Sequence, residues 1–414
     1  MVTCSICTIG DELMIGQVVD TNSAMIAQTL NQAGITVLFK NSIRDNREDI
    51  LKTIHLTLHH TEILIITGGL GPTNDDITKS ALAQYTGSKR YYRSTVQEAH
   101  IEEICRRRGS AMLDINRTQA DVPETCTVLE NKLGTAPGMW FEFQGKVIVS
   151  LPGVPYEAEG LLPQVIERLT NRFSAALSPI VHKTLSTTGI PESLLAKQIA
   201  LWESELPSYL HLAYLPSTAG VRLRLSCYDA ESGADAIDKA FAQLEPILGN
   251  AIYGYGVETL EEVVAKLLLQ QNTTLSCAES CTGGKIGSLF TSLAGASRYF
   301  MGGVIAYNNK IKEEVLLVSP DILRRFGAVS QPCVESMAIG VRKLFCTDYA
   351  IATSGIAGPT GGSEEKPLGT VWVAIATPKG CTSQKYNYTG DRKRLMDRFC
   401  TAALNMLRIT ILTE

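Results

Sequence analysis

A glycine-rich turn bordered by acidic residues follows an apolar run in the first third of the sequence. The run from Glu62 to Thr67 is typical of a buried strand, and it leads into Gly68-Gly69-Leu70-Gly71-Pro72-Thr73, with Asp75 and Asp76 close behind. Glycines at the carboxyl end of a parallel strand let the backbone approach a ligand, and the N-terminus of the next helix attracts an anion. Two aspartates would repel phosphate unless a divalent cation lay between them. These residues therefore indicate a metal-assisted site for a phosphate ester or diphosphate.

A second acidic turn follows the first predicted strand. It contains Asp11, and Asp20-Thr21-Asn22 stands at the next predicted helix start. Both turns leave the carboxyl ends of strands, so we expect them at one crevice, where Mg²⁺ or a similar ion would be held by carboxylates. The candidate ligands are Asp11, Asp20, Asp75 and Asp76. The alternative is that Asp20, Asp75 and Asp76 only cap helices.

A serine at a strand-to-helix turn is the main candidate nucleophile. The strand Thr274–Ala278 leads into Glu279-Ser280-Cys281-Thr282-Gly283-Gly284, and a helix follows. The Ser280 hydroxyl would lie beside free N–H groups of the first helical turn, which could hold a tetrahedral oxyanion. The alternatives are that Ser280 is an ordinary helix cap or that the neighbouring Cys281 is the nucleophile.

The base that would activate Ser280 is not a histidine of the last third of the chain. All six histidines lie at or before residue 211. The next predicted strand ends in Tyr307-Asn-Asn-Lys310, and a buried, partly neutral lysine can accept a serine proton while a tyrosine assists. We therefore predict Lys310 as the base and Tyr307 as its partner, with an exposed Lys310 as the alternative.

A third strand, Tyr349–Thr353, runs into the turn Ser354-Gly355-Ile-Ala-Gly-Pro359. Three consecutive strands that end in small, polar or glycine-rich turns predict a pocket with room for a phosphate and a planar ring.

The elements that must position these residues form an α/β pattern in three blocks. Strand-like and helix-period segments alternate over about 1–170, which is typical of a parallel sheet covered by helices. A small α+β block follows over 171–251, and a second βα alternation fills 252–414. The middle block resembles a KH module but lacks the Gly-x-x-Gly clamp after Gly189, which argues against RNA binding.

Composition excludes several classes of function. The 414 residues carry 38 Lys+Arg and 42 Asp+Glu, a net charge of −4, so no overall basic field would attract nucleic acid. No apolar stretch approaches the length of a membrane span, and the first residues lack the pattern of a signal peptide. The 11 cysteines follow no disulfide framework. We predict a cytoplasmic protein with reduced thiols and with neither nucleic acid nor membrane as a partner.

The first block resembles the molybdopterin-binding-like domain of the CinA family. The motifs are Gly10-Asp-Glu-Leu, Asp20-Thr-Asn22, Gly68-Gly-Leu-Gly-Pro-Thr-x-Asp-Asp76, Gly134-Thr-Ala-Pro-Gly138 and Leu151-Pro-Gly-Val-Pro-x-Glu157. The resemblance implies a fold related to MoaB and MogA and a divalent-metal-dependent ADP-ribose pyrophosphatase. Relatives that bind molybdopterin share the turn, so a pterin remains an alternative ligand. The implied substrate-binding residues are Asn22, Gly68, Gly69, Gly71 and Thr73.

The last block resembles the CinA carboxy-terminal domain, whose stand-alone form is an amidase. The motifs include Ala278-Glu-Ser-Cys-Thr-Gly-Gly284, Gly327-Ala-Val-Ser330, Gly355-Ile-Ala-Gly-Pro359, Lys366-Pro-x-Gly-Thr370 and Gly390-Asp-Arg392. The resemblance implies deamidation of nicotinamide mononucleotide by Ser280, with Lys310 as base and no cofactor. Ser354 stands where the family usually has threonine. The implied substrate-binding residues are Glu279, Thr282, Gly283, Gly284, Ser354, Gly355 and, for the phosphate, Arg392.

The sequence thus predicts a two-site enzyme of pyridine-nucleotide recycling that acts on nicotinamide mononucleotide and ADP-ribose. The resemblance also implies a homodimer. The alternative is a non-catalytic protein that binds a pterin or nucleotide in competence or damage response.

Overall fold

The fold follows from apolar strands that are buried on both faces. The computed structural model describes residues 2–73, 76–177, 180–228 and 233–414. Contacts divide the chain into two units, Met1–Val181 with Tyr228–Gly233 and His182–Cys227 with Ala234–Glu414. The first unit contains the strands β1 (Thr3–Ile9), β2 (Thr36–Ile43), β3 (Ile63–Thr67), β4 (Tyr91–Arg93), β5 (Asp121–Pro123), β6 (Cys126–Leu129), β7 (Gly138–Phe143) and β8 (Lys146–Leu151). Its helices are α1 (Asp11–Met14), α2 (Asn22–Gln32), α3 (Arg47–His60), α4 (Thr78–Tyr85), α5 (Thr95–Arg107), α6 (Asp114–Arg117) and α7 (Pro155–Phe173).

Six strands of the first unit form one sheet in the order β2-β1-β3-β8-β7-β6. The first four run parallel, while β7 and β6 pair antiparallel. In β3, Ile63 and Ile65 face the core of α2 and α7, and Leu64 and Ile66 face the opposite core, which includes residues of α3 and α4. The continuous apolar run is therefore explained by burial between two helix layers. The strands β4 and β5 form a separate antiparallel pair.

The middle domain has a four-stranded sheet in the order β10-β11-β9-β12. Its strands are β9 (Val181–Thr187), β10 (Leu210–Pro216), β11 (Val221–Cys227) and β12 (Ile252–Tyr255). Its helices are α8 (Glu192–Ser204), α9 (Gly233–Ala242) and α10 (Glu245–Leu248). The antiparallel pair β10 and β11 is the predicted hairpin.

The C-terminal domain has a five-stranded sheet in the order β14-β13-β15-β16-β17. Its strands are β13 (Leu275–Glu279), β14 (Phe300–Ile305), β15 (Tyr349–Gly355), β16 (Thr370–Thr377) and β17 (Gly380–Asn387). Its helices are α11 (Leu260–Gln271), α12 (Lys285–Thr291), α13 (Asn309–Glu314), α14 (Pro320–Phe326), α15 (Gln331–Phe345) and α16 (Arg392–Thr413). Short 3₁₀ turns occur at Thr118–Ala120, Ser174–Ala176, Gly249–Ala251 and Ala296–Arg298.

Small side chains bring α15 close to this sheet. Buried alanines of β13, β15 and β16 pack in the same core as the apolar face of α15. Within α15, Gly340 lies so close to the chain after α13 that a Cβ atom would stand 2.1 Å from the carbonyl oxygen of Leu316. The absence of a side chain at Gly340 therefore fixes the position of the segment that follows α13.

The predicted fold class is confirmed as an α/β N-terminal domain, a small α+β middle domain and an α/β C-terminal domain. All eleven cysteines are unbridged. Among the described residues, no helix has both the length and the apolar character needed to cross a membrane.

Candidate functional sites

The carboxyl ends of three parallel strands converge at one edge of the C-terminal sheet. The central strand β13 pairs with β14 on one side and β15 on the other, both in parallel. Ser280 directly follows β13, and Tyr307 follows β14 by two residues. Ser354 lies within β15, one residue beyond the predicted strand end. The topology therefore brings together the three segments that the sequence singled out.

The turn after β13 is held by the buried carboxylate of Glu279. One carboxylate oxygen accepts the N–H groups of Gly284 (3.0 Å) and Ile286 (3.1 Å), and the other accepts the N–H of Gly287 (2.8 Å). Gly283 and Gly284 have φ of 61° and 94°, where glycine avoids the steric cost of a side chain. A carboxylate at a helix N-terminus is favourable because the helix dipole is positive there.

This cap corrects two expectations. The N–H groups at the start of α12 are taken by Glu279 and are not free for an oxyanion. Glu279 itself is only 1% exposed, so its carboxylate supports the turn and does not face a ligand. Thr282, also predicted to bind substrate, is fully buried, and its hydroxyl shares a 2.7 Å hydrogen bond with that of Thr353.

The central contact of the site joins Ser280 to Lys312. The ammonium Nζ of Lys312 donates to the Ser280 hydroxyl oxygen at 3.2 Å. It also donates to the carbonyl oxygens of Ala306 at 2.6 Å and Tyr307 at 3.4 Å. All three acceptors are neutral oxygens, so no carboxylate stabilises the charged form through these bonds. The arrangement places a nucleophile and a base within hydrogen-bond reach.

Lys312 is buried, with 1% of its surface exposed. Burial lowers the pKa of Lys312 from its ordinary value because a low-dielectric environment disfavours the ammonium form. A lysine with a lowered pKa is neutral in a larger fraction of molecules near pH 7, and only the neutral amine can accept the Ser280 proton.

The prediction of Lys310 as the base is wrong in this geometry. The Lys310 side chain is 72% exposed and its ammonium pairs with Glu314 at 3.7 Å. Successive residues of a helix are rotated by about 100°, so Lys310 and Lys312 lie on nearly opposite faces of α13 and only one can face Ser280. The alternative that Lys310 is an exposed first-turn residue is the one that the structure bears out.

The signal that distinguishes these lysines was present in the sequence. Lys310 stands four residues before Glu314, the spacing of a surface ion pair, whereas Lys312 stands four residues before the buried Leu316. Helical periodicity across α13 would therefore have placed Lys312 on the apolar face.

Tyr307 and Arg392 are brought together across the site. A guanidinium nitrogen of Arg392 donates to the Tyr307 hydroxyl oxygen at 3.2 Å, and a second donates to the carbonyl oxygen of Gly358 at 2.7 Å. The Tyr307 side chain is exposed. The predicted partner of the base therefore contributes its backbone carbonyl to Lys312 and its hydroxyl to Arg392.

Ser354 and Gly355 shape the opposite wall. The Ser354 hydroxyl is buried and donates to the carbonyl oxygen of Ala328 at 2.7 Å, which ties β15 to the segment before α15. A Cβ atom at Gly355 would stand 2.7 Å from the carbonyl oxygen of Thr370. Both residues therefore fix the wall in place.

Cys281 does not have the properties of a nucleophile. Its side chain is 5% exposed, and burial raises the pKa of its thiol to about 12. A nucleophilic cysteine reacts as the thiolate, so a thiol with this pKa is inert near neutral pH.

In the N-terminal domain, Asn22 lies at the carboxyl edge of the sheet. Its amide nitrogen donates to the hydroxyl oxygen of Thr67 at 3.1 Å and to the carbonyl oxygen of Gly153 at 2.8 Å. Its amide oxygen is buried and accepts no hydrogen bond. Gly68 and Gly69 have φ of 109° and 65°, so the turn adopts a backbone that suits glycine. An unpaired buried acceptor beside such a turn is available to a ligand donor or a cation.

The carboxylates of Asp20 and Asp76 accept hydrogen bonds from nearby residues of this domain. Asp20 accepts the N–H of Ser23 at 2.9 Å and the hydroxyl of Thr8 at 3.2 Å. One oxygen of Asp76 accepts the N–H and the hydroxyl of Thr73, at 2.9 and 2.6 Å. The capping alternative is therefore realised for Asp20 at the start of α2, whereas Asp76 binds Thr73 within the turn and makes no side-chain cap of α4.

The predicted metal ligands are only partly described. A Cβ atom at Gly71 would stand 2.5 Å from Asp76, Asp11 is exposed with its N–H donating to Asp45, and Asp75 lies outside the described residues. In the part of the chain that the structure describes, no group of three His, Cys, Asp or Glu side chains could hold a metal ion. Mg²⁺ often binds one or two carboxylates together with substrate phosphates, so this donor set would fit an ion only with a ligand diphosphate present.

Three family models match the chain in succession. They are described as "Probable molybdopterin binding domain" over residues 5–171, "Damage-inducible protein CinA KH domain" over 182–254 and "CinA C-terminal domain" over 257–411. A CinA-like protein of Cytophaga hutchinsonii is 42% identical over 411 residues, covering 97% of this chain and 96% of its own. This chain belongs to the CinA family.

A second full-length relative agrees with this assignment, and a solved structure is similar to part of the chain. A CinA-like protein of Flavobacterium psychrophilum is 43% identical over 413 residues, covering 99% of this chain and 98% of its own. The solved competence damage-inducible protein A of Klebsiella pneumoniae is 33% identical, with a TM-score of 0.36, and covers 37% of this chain and 95% of its own.

Glu279→Gln tests the cap of the C-terminal turn. The new amide would turn one N–H₂ group towards a backbone N–H, so we expect the free energy of unfolding to fall by about 1–3 kcal/mol, the cost of an unsatisfied buried donor. Thermal and urea unfolding would measure the change. Glu314→Gln is the matched control, since its carboxylate is exposed and pairs with the exposed Lys310. Equal stability of the two variants would contradict the capping role.

Proposed function

We propose that the C-terminal domain is an amidase in which Ser280 is the nucleophile and Lys312 the base. The observation that carries the proposal is the 3.2 Å contact between the Ser280 hydroxyl oxygen and the Lys312 ammonium. The burial of Lys312, which lowers its pKa, supports the proposal as well. A lysine on the surface is solvated and stays charged, whereas a buried lysine can become neutral and act as a base. Lys312 takes the role that the sequence had suggested for Lys310.

The reaction proceeds in two steps. Neutral Lys312 removes the Ser280 proton while the serine oxygen bonds to the amide carbon and the carbonyl becomes an oxyanion. The carbon–nitrogen bond then breaks, and the proton on Lys312 goes to the nitrogen, which leaves as ammonia. In the second step a water, deprotonated by Lys312, hydrolyses the ester and Ser280 regains its proton.

The oxyanion would be bound by a backbone N–H group of the turn. The N–H of Gly283 donates to the carbonyl oxygen of Ser280, and that of Lys285 donates to the carbonyl oxygen of Thr282. The N–H groups of Gly284, Ile286 and Gly287 donate to the carboxylate of Glu279. Thr282 is fully buried, so the N–H of Cys281, directly after the nucleophile, is the donor that we propose for the oxyanion; a pre-oriented donor of this kind stabilises the transition state in acyl transfer.

The substrate that we propose is nicotinamide mononucleotide, which would yield nicotinate mononucleotide and ammonia. The family resemblance supports this choice. The chemistry supports it as well: Arg392 presents a guanidinium beside the exposed Tyr307 hydroxyl, a pair suited to hold a phosphate.

Ammonia release from nicotinamide mononucleotide by the full-length protein is the direct test. We expect wild-type turnover, and we expect Ser280→Ala to lower kcat by about a thousandfold or more because the nucleophile is lost. The same samples should cleave ADP-ribose equally well, since Ser280 belongs to a separate domain. Ligand binding by the wild-type protein without turnover would instead favour the alternative of a non-catalytic pterin or nucleotide sensor.

Substitution of each lysine of α13 in turn tests which of them is the base. We expect Lys312→Met to lower kcat/KM by about 10²–10⁴-fold, the usual contribution of a general base, and Lys310→Met to change it by about twofold or less. In the wild type, kcat/KM should rise with pH as Lys312 loses its proton, because its folded-state pKa is lowered and the protonated form is inactive. A stronger effect of Lys310→Met would return the role to Lys310.

We also propose that the N-terminal domain hydrolyses the diphosphate of ADP-ribose with a divalent metal ion. The support is the buried, unpaired amide oxygen of Asn22 beside the Gly68–Gly69 turn, together with the family resemblance. Asp75 and Asp76 would hold the ion with phosphate oxygens, and the ion would polarise the phosphate. A pterin ligand is the alternative, and the homodimer stays a prediction.

Metal removal tests the N-terminal proposal. We expect EDTA to stop ADP-ribose hydrolysis and added Mg²⁺ to restore it, because the diphosphate needs a bridging cation near the acidic turn. Phosphate-monoester products would be measured by chromatography. Ammonia release from nicotinamide mononucleotide is the internal control and should not respond to EDTA. Hydrolysis that persists without metal would exclude ligation by Asp75 and Asp76.

A further inference from the structure

A cleft of about 550 Å³ separates the middle domain from helix α16 of the C-terminal domain. Its walls are the segments 188–192 and 216–221 on one side and residues of β17 and α16 on the other. Ser280, Lys312, Tyr307 and Arg392 do not line it. The volume lies within the range of small-molecule sites, and none of the functions above uses it.

One wall of the cleft presents a pair of stacked aromatic rings. The rings of Tyr386 and Tyr388 lie with their centroids 5.9 Å apart and their planes 9° from parallel, and both side chains are partly exposed. The ring of Tyr388 also packs against the ring of Phe399, with 6.3 Å between the centroids. Rigid aromatic rings bind planar ligand rings by stacking at low entropic cost.

The cleft also contains a cation that is not neutralised by an acid. The guanidinium of Arg398 lies 5.8 Å from the centre of the Tyr388 ring, and it donates to the carbonyl oxygen of Thr389 at 3.4 Å. The adjacent Asp397 pairs with Lys285 instead. Among the ion pairs of the described residues Arg398 has no acidic partner, so its planar donor set is available to an anion.

A second donor, Asn405, lies on the same wall as Arg398, since both belong to α16. The amide oxygen of Asn405 accepts from Arg408 at 2.9 and 3.1 Å, which fixes the orientation of the amide. Its amide nitrogen then lies on the side of Gly189, 3.7 Å from the place that a Cβ atom would occupy there. Asn405 thus offers N–H groups towards the middle-domain wall.

The two walls are tied together by buried hydrogen bonds. Arg408 is 3% exposed and donates from α16 to the carbonyl oxygens of Asn250 and Ile252, in the middle domain. On the opposite wall, the Thr188 hydroxyl donates to the carbonyl oxygen of Ala219 at 2.8 Å and fastens the β10–β11 turn. The cleft is therefore a built feature of the fold, with its aromatic, cationic and amide groups in fixed relation.

We propose that this cleft is a binding site for a planar aromatic ring that carries an anionic group, the chemistry of a nucleoside monophosphate. The ring stacks on the Tyr386–Tyr388 pair, and the anion is held by Arg398 with Asn405 donating beside it. The site is separate from the amidase centre and does not depend on its activity.

Calorimetric titration of the full-length protein with AMP tests the proposal, with adenosine and inorganic phosphate as partial ligands. We expect AMP to bind about tenfold or more tightly than either part, because the ring and the anion contribute separate contacts. A separate titration with pterin-6-carboxylate shows whether the cleft prefers a pterin or a nucleotide.

Two variants alter the cleft in different ways. Arg398→Gln removes the charge, and Ala219→Trp fills the space while Arg398 keeps its charge. Each should weaken AMP binding by about tenfold or more while ammonia release continues. The control is Arg394→Gln, on the same helix, whose side chain is 72% exposed and pairs with Asp391. Thermal unfolding would verify that each variant is folded.

The proposal is overturned if AMP and pterin-6-carboxylate fail to bind, or if they bind the wild type and both cleft variants with equal affinity. Equal affinity would assign the binding to the N-terminal or Ser280 site. Loss of binding in Arg398→Gln and Ala219→Trp but not in Arg394→Gln supports it.

Discussion

The C-terminal site depends on one constraint: a lysine ammonium is buried with only neutral oxygens as partners. Lys312 donates to two backbone carbonyls and to the Ser280 hydroxyl, and no carboxylate takes part in these bonds. Burial of an unpaired cation is costly, and the cost is reduced when the group is neutral. The same environment that disfavours the ammonium thus prepares the amine as a base. The close approach at Gly340 and the Ser354 bond to Ala328 hold the surrounding segments in place.

In both α/β domains a carboxylate binds the glycine turn that follows a buried strand. Each ends a buried strand in a glycine turn, and each satisfies that turn with its own carboxylate: Asp76 binds Thr73, and Glu279 binds three N–H groups at the start of α12. An acidic residue in a glycine turn is therefore explained first by the unpaired N–H groups that the turn creates. Its presence in a motif does not by itself indicate a ligand contact.

Much of the architecture could be predicted because it depends on local patterns. The run at 63–66 is apolar at every position because helices cover both of its faces, and that pattern is visible in the sequence. The site was predicted as a region, since the ends of neighbouring parallel strands must meet at one edge. The roles of single residues in the site were harder to predict. Glu279 was expected to contact substrate, but it caps a helix. Lys310 was expected to be buried, but it is exposed and pairs with Glu314.

The sequence by itself determined the fold class, the order of the glycine turns, the nucleophile candidate and the absence of a histidine base in the last block. These properties depend on residue type and short-range periodicity. Helical spacing distinguishes the exposed face of α13, with Lys310, from the buried face, with Lys312, but only the tertiary structure shows that the buried face meets Ser280. It alone also formed the cleft at Arg398, whose walls come from segments about 180 residues apart in the chain and are joined by Arg408. Such a site requires long-range packing, which no local pattern records.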